Sequence, residues 1–286
     1  MTDTEHRPLT REAIEEAIAT FVRESPLNRL DRIDGTPIFY APLVGVADGD
    51  DPLFARYREI IGAFHRTPRE ALAADVGHDE PPHVSVIAWI LPIAQRTREG
   101  NRERERTPSR RWAHSKQYGE ELNLALRRHM VGLCQAAGYA ACAPLLSDEY
   151  RVFRAEAVRP PSANWSERHI AYAAGLGTFG LSDGLITPVG IAHRCGSVVT
   201  ALPLAATPRP YKGPYDYCLH YRGIPCGACI QRCPAGAISD AGHDKAACGA
   251  YLHTELLALH TDEYGVSDLT CGLCQTGVPC ECGIPE

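Results

Sequence analysis

Nine of the twelve cysteines lie in the last 69 residues, at Cys218, Cys226, Cys229, Cys233, Cys248, Cys271, Cys274, Cys280 and Cys282. Only Cys134, Cys142 and Cys195 precede them. In a secreted chain such a set would pair into disulfides, whereas a reducing compartment keeps thiols free unless a metal or catalysis occupies them. The first residues, MTDTEHRPLTREAIEEAIAT, are charged and helix-like and lack the basic start and apolar stretch of a secretory signal, and no later run is long enough to span a bilayer. These features predict a cytoplasmic protein that makes no membrane contact and uses its cysteines as metal ligands.

The cysteine density divides the chain at the proline-rich joint ATPRPYKGP, giving a segment 1–210 and a segment 211–286. In the first segment, apolar spacing predicts a helix over 11–24, a strand over 37–47, a helix over 52–64, a central strand over 83–93 and a long helix through Leu122, Leu126, Met130 and Leu133 that Gly138 stops. CGSVVTALPL at 195–204 reads as a late strand. Strands alternating with helices predict an α/β (or α+β) domain, and 44% hydrophobic content supplies a core for it. Between the central strand and the long helix, AQRTREGNRERERTPSRR holds seven arginines and three glutamates. This run reads as a solvated, partly self-paired loop, with a clamp for phosphate or carboxylate groups as the alternative.

IPCGACIQRCPAGAI contains Cys226-x2-Cys229-x3-Cys233-Pro234, the latter part of the run C-x2-C-x2-C-x3-C-P that ligates [4Fe-4S] clusters in bacterial ferredoxins. The expected first cysteine is replaced by Gly223, and Cys218 lies five residues earlier. CGLCQTGVPCECG adds Cys271, Cys274, Cys280 and Cys282, and Cys248 stands between the groups. In two-cluster ferredoxins the cysteine before the proline serves the other cluster. That rule separates Cys233 from its neighbours, and we assign Cys218, Cys226, Cys229 and Cys280 to one cluster and Cys233, Cys248, Cys271 and Cys274 to the other, with Cys282 as the alternative to Cys280. Structural zinc, which paired CxxC units also suit, is the competing reading. The formal charge of -6 makes nucleic acid an unfavourable partner.

CGACIQRCPAGAI, the isolated Cys248 in CGAYL, the later CGLC and the block ERHIAYAAGLGTFGLSDGLIT at 167–187 resemble the epoxyqueuosine reductase family and its relatives, the corrinoid reductive dehalogenases. The likeness covers residues 80 to 282. It implies a nitroreductase-like, cobalamin-binding α/β domain followed by a ferredoxin-like two-cluster domain that passes electrons to cobalt, and it too groups Cys248 with Cys233. In that family the stretch before the E-R pair reads D-S-A-P-V-L-E-R, its aspartate serving as proton donor. Here it reads PSANWSER: Glu167 and Arg168 match, but Pro161 stands at the aspartate position. The family's epoxyqueuosine reductases continue into a helical domain that helps hold tRNA, and this sequence ends four residues after Cys282. Together with the acidic charge, this argues against a tRNA substrate.

Gly175, Gly177 and Gly180 formally satisfy G-x-G-x-x-G, but they follow a predicted helix and not a strand, so a glycine-rich turn packed against a cofactor or cluster is the better reading. His193 and Arg194 flank the block as cofactor- or anion-binding candidates. Glu167, His169 and Tyr172 are the candidate proton donors that would replace the missing aspartate. Trp165 and Phe179 read as core or as aromatic cover, and Cys195 as a small buried hydrophobe. The expected activity is an iron-sulfur reductase, in which an external donor such as a flavodoxin or ferredoxin feeds electrons through two [4Fe-4S] clusters to a small-molecule substrate, with cobalamin as the implied acceptor. A non-enzymatic electron carrier is the rival.

Overall fold

The computed structural model describes residues 9–77, 81–153 and 162–286. Its first part runs α1 (Arg11–Glu24), β1 (Leu43–Asp48), α2 (Pro52–Ile60), α3 (Pro68–Val76), β2 (Ser85–Pro92), α4 (Gln95–Arg102), α5 (Arg110–Ala136), β3 (Ala141–Cys142), β4 (Val152–Phe153), β5 (Ser162–Ala163), α6 (Glu167–Ala173), β6 (Thr178–Phe179), β7 (Leu185–Ile186) and β8 (His193–Thr200). Its second part has α7 (Ala228–Gln231), β9 (Ile238–Ser239), β10 (Gly242–His243) and α8 (Lys245–Thr254).

The main sheet has the order β1-β2-β8-β3, and every pairing in it is antiparallel. β2 lies at its centre, and every one of its residues is buried. A strand covered on both faces needs no polar alternation, which is why SVIAWILP is almost wholly apolar. On one face Ile87, Trp89 and Leu91 pack with Ile14 and Ile18 of α1 and with Leu122, Leu126 and Met130 of α5. On the other, Val86, Ala88 and Ile90 pack with Phe54 and Tyr57 of α2, Leu72 of α3 and Ile170 of α6. The result is a mixed α and β architecture, a sheet between two helical layers.

The expected helix over 11–24 and central strand over 83–93 form where the apolar spacing put them, and the helix through Leu122, Leu126, Met130 and Leu133 extends back to Arg110, with Gly138 following it at φ +86°. In the first part, two helices lie where none was expected. α3 starts at a capping box, with Thr67 and Glu70 satisfying each other's backbone N–H groups and Pro68 in the first turn. α4 is the first half of the arginine-rich run. Among the described residues no helix is long and apolar enough to cross a membrane. Pro161, at the position of the family's aspartate, lies outside the described residues.

Candidate functional site

The nine C-terminal cysteines separate by environment. Cys218, Cys226, Cys229 and Cys280 line one cavity of about 30 Å³, whose other walls include Gly180, Leu181, Ile186 and Ile191. Burial and the nearby Cys218 and Cys226 push the Cys229 thiol up to about 11. Burial and the same group, Cys229, Cys218 and Cys226, push Cys280 up to about 12. The second set is equally self-consistent. Cys271 is raised to about 11 by burial and by Cys248 and Cys233, and Cys274 is raised by burial and by Cys271, Cys248 and Cys233. Apolar packing alone would leave such thiols protonated, so their thiolate form requires a compensating positive centre. Among the described residues no three His, Cys, Asp or Glu side chains converge on one point closely enough to hold a single metal ion.

Cys282 is placed elsewhere. It is exposed, and its sulfur accepts from Arg98 Nη1 at 2.6 Å and from Arg102 Nη2 at 3.5 Å. Cys280, two residues earlier, lies on the cavity wall, where its carbonyl accepts from Ile191 N at 2.9 Å. The loop turns tightly enough between them that their side chains point to different environments. Cys233 accepts from Ala237 N at 3.3 Å, a backbone amide directed at sulfur as the glycine- and proline-rich sequence predicts.

The glycine block does not cradle a dinucleotide. It runs from α6 into the β6–β7 hairpin, the reverse of a strand-to-helix turn. A Cβ at Gly177 would lie 2.2 Å from Ile186 O, and one at Gly175 would lie 2.8 Å from Pro208 O. Both glycines therefore serve close approach of the chain to itself. Gly180 is the member of the three that reaches the cysteine cavity.

Glu167, His169 and Tyr172 all lie on α6, where His169 and Tyr172, three residues apart on one face, both pack against Phe179, while Glu167 points to another side of the helix. Glu167 accepts from Arg127 Nη2 at 3.0 Å and from Ser197 Oγ at 2.6 Å, and Trp165 Nε1 donates to the same Ser197 at 3.0 Å. Its carboxylate is engaged in a buried network. His169 sits between Tyr57 and Phe179, its Nδ1 2.8 Å from Ser166 Oγ, and burial with the nearby His65 holds it down to about 3. Tyr172 is buried and stacks on Tyr211 at 5.0 Å, and burial raises its phenol. Trp165 and Phe179 are packed in the same layer.

At the start of β8, His193, Arg194 and Cys195 are half-buried. His193 Nε2 donates to Leu185 O at 2.8 Å, which leaves Nδ1 as the acceptor facing Cys195 Sγ at 3.6 Å. Burial holds His193 near 4 and Cys195 near 12, so both are neutral. Arg194 projects to the opposite face of the strand, toward α5, where burial first and the nearby Arg194 second lower Lys116. Sequence reasoning missed Lys116, Asn123 and Arg127. They and Glu120 recur along α5 at helical spacing, a polar stripe that, without the sheet beside it, reads as a solvated face.

The arginine-rich run is neither a free loop nor a ligand clamp. Arg102 makes a two-pronged contact with Glu281, both bonds 2.7 Å, and Arg98 lies 3.7 Å from the same carboxylate. Arg96 and Arg111 pair with Asp34. From the cysteine segment, Arg232 donates back to Asn101 O, Arg104 O, Leu273 O and Thr276 O. The run thus fastens the cysteine-rich segment to the sheet domain.

No protein-family model and no curated protein sequence matches the chain. Solved structures do. A catabolic reductive dehalogenase, NpRdhA, superimposes with a TM-score of 0.52 at 18% identity, covering 85% of this chain and 30% of the dehalogenase. The same dehalogenase in complex with 3-bromo-4-hydroxybenzoic acid gives 0.52 at 16% identity over 96% of this chain and 37% of its own. An epoxyqueuosine reductase with an epoxyqueuosine-modified tRNA-Tyr stem loop gives 0.52 at 16% identity over 96% of this chain and 66% of the reductase. The chain therefore spans about a third of the dehalogenase and about two thirds of the reductase. At 96% coverage the likeness reaches well before residue 80, where the sequence resemblance begins. The fold is the one that epoxyqueuosine reductases and reductive dehalogenases share.

Proposed function

We propose that the chain is an iron-sulfur reductase in which Cys218, Cys226, Cys229 and Cys280 hold one [4Fe-4S] cluster and Cys233, Cys248, Cys271 and Cys274 hold a second. The observation that carries this reading is the separation of eight cysteines into two sets of four, one of which lines a single cavity. The donor set fits: four soft thiolates that line one cavity without converging on a single ion suit a cubane, which takes one thiolate at each iron. When bound, the clusters supply one-electron transfer at low potential. The sets adjoin, since Cys229 also bears on Cys274, so electrons received from an external flavodoxin- or ferredoxin-type donor can pass between them. The fold likeness to two kinds of reductase supports a reductive role over a simple carrier.

The chain's own residues do the remaining work. Arg127, Glu167 and Ser197 fix α6 against β8, and His193 and Cys195 at the start of that strand are neutral. Cobalamin as the acceptor rests on the sequence resemblance.

The test is iron and acid-labile sulfide analysis on anaerobically purified protein, with electron paramagnetic resonance after reduction. About eight irons and eight sulfides per chain are expected. Cys280→Ser should lose roughly half of both while Cys282→Ser loses neither, and the opposite pattern sinks the assignment. Stoichiometric zinc without sulfide would establish the structural-zinc reading instead. Anaerobic titration with cobalamin, read as a protein-bound Co(II) signal, then decides whether a corrinoid is the acceptor.

A further inference from the structure

Among the described residues Asp183 is the one non-glycine residue with a positive φ, +58°, at the tip of the β6–β7 hairpin. Glycine or asparagine would fit that backbone as readily, so the conformation does not account for an aspartate. Its contacts do. The carboxylate lies 3.3 Å from His243 Nδ1 and 3.4 Å from Lys245 Nζ, and the carbonyl accepts from Arg168 Nη1. Arg168 is the second member of the E-R pair on α6, and the first, Glu167, is fastened to Arg127 and Ser197. One residue therefore ties together three segments: α6, the hairpin tip and the start of α8.

Two of these segments reach the two cysteine sets. Gly180, Leu181 and Ser182, just before Asp183, line the cavity of the first set. His243 and Lys245 flank Asp244, the N-cap of α8, whose carboxylate accepts from Ala246 N and Ala247 N. His243 thus stands just before the cap and Cys248 four residues after it, two positions whose side chains meet across the first turn of a helix. The imidazole is in hydrogen-bonding reach of the Cys248 sulfur. Apolar packing does not hold α8: none of its ten residues is buried, and a helix that short is marginal without packing. We propose that Asp183 is a positioning residue of the electron path: through His243 and Lys245 it holds the start of α8, and with it Cys248, at a fixed place beside the wall of the first cysteine cavity, and so sets the gap between the two clusters. The inference rests on the iron-sulfur reading for its consequence in electron transfer, but not for the clamp itself.

The test uses Asp183→Asn, because asparagine accepts the left-handed backbone and only the charge is removed. Two measurements on the anaerobically purified full-length chain separate the clamp from its consequence. Hydrogen–deuterium exchange by mass spectrometry reads the clamp: the amides of 242–254 should exchange roughly twofold to fivefold faster in Asp183→Asn, the range that partly exposed ion pairs support. Electron paramagnetic resonance of the fully reduced protein reads the gap. Neighbouring reduced clusters broaden each other's signals, and the variant, still carrying about eight irons and eight sulfides, should show less of that broadening. Lys245→Gln removes one of the two cations and leaves the hairpin tip intact, so it should reproduce both changes at smaller size and keeps the test open if Asp183→Asn fails to fold. Exchange over 242–254 equal to the parent's in a folded variant would overturn the clamp. Faster exchange with the parent's signal shape, in fully loaded protein, would overturn its part in the electron path. A parent chain without iron and sulfide that still shows the exchange difference would sink the reductase reading and leave the clamp standing.

Discussion

Glu167 matches the E of the family's E-R pair, and its carboxylate is already spent on Arg127 and Ser197. Arg127 is 1% exposed and is shared between Glu167 and Glu120, so removing Glu167 takes away one of two partners of a buried charge. Glu167→Ala should cost about 1–3 kcal/mol of stability by chemical denaturation, with Glu167→Gln milder because it still accepts from Ser197. His65 gives the second prediction at this scale. Its side chain is wholly buried and burial holds it near 4, well below the ordinary histidine value of 6.5. The unfolded chain therefore takes up a proton that the folded chain refuses between about pH 6.5 and 4, and stability must fall as pH falls through that window. The contribution is about 3 kcal/mol, and His65→Asn should flatten the slope of unfolding free energy between pH 7 and pH 5. An unchanged slope would mean that His65 is not the group that resists protonation. The E-R match was legible in the sequence, but its partner was not, since nothing in the linear order places Arg127, forty residues earlier, beside it.

At the scale of elements, the capping box of α3 was written in the sequence as Thr67-Pro68-Arg69-Glu70, a signature that a search limited to apolar spacing passes over. Thr67→Ala should lower stability by about 1 kcal/mol, read as a shift in denaturation midpoint with unchanged slope. α5 shows the complementary limit. Leu122, Leu126 and Met130 announced the helix and its buried face. Asn123, which accepts from Trp89 Nε1 at 2.8 Å and donates to Cys195 O at 2.9 Å, is equally buried, but its polar side chain carries no periodic signal of burial. The cysteine grouping rests on ligand exchange between paired clusters, a rule of spacing, and the first of its sets lines one cavity. The glycine block was legible as a close turn. That two of its three glycines face other parts of the chain itself requires the hairpin behind them.

At the scale of the molecule, the join between the sheet domain and the cysteine-rich segment is polar and specific. Glu281 is 3% exposed and receives Arg102, Arg98 and the Gly277 amide. Glu281→Ala strips that acceptor from two guanidinium groups at once. It should lower the thermal midpoint by roughly 5–10 °C and speed proteolysis in the 203–215 connection, measured by scanning calorimetry and timed trypsin digestion. A melting point and digestion rate equal to the parent's would show that the arginine-rich run is not what fastens the two parts.

Ile191 stands in the wall of the cysteine cavity, and its N–H donates to Cys280 O. Two residues later the chain enters β8, which pairs along its length with the central strand β2. The place where charge would be stored is therefore moored to the stiffest part of the sheet, so its wall moves only as the sheet moves.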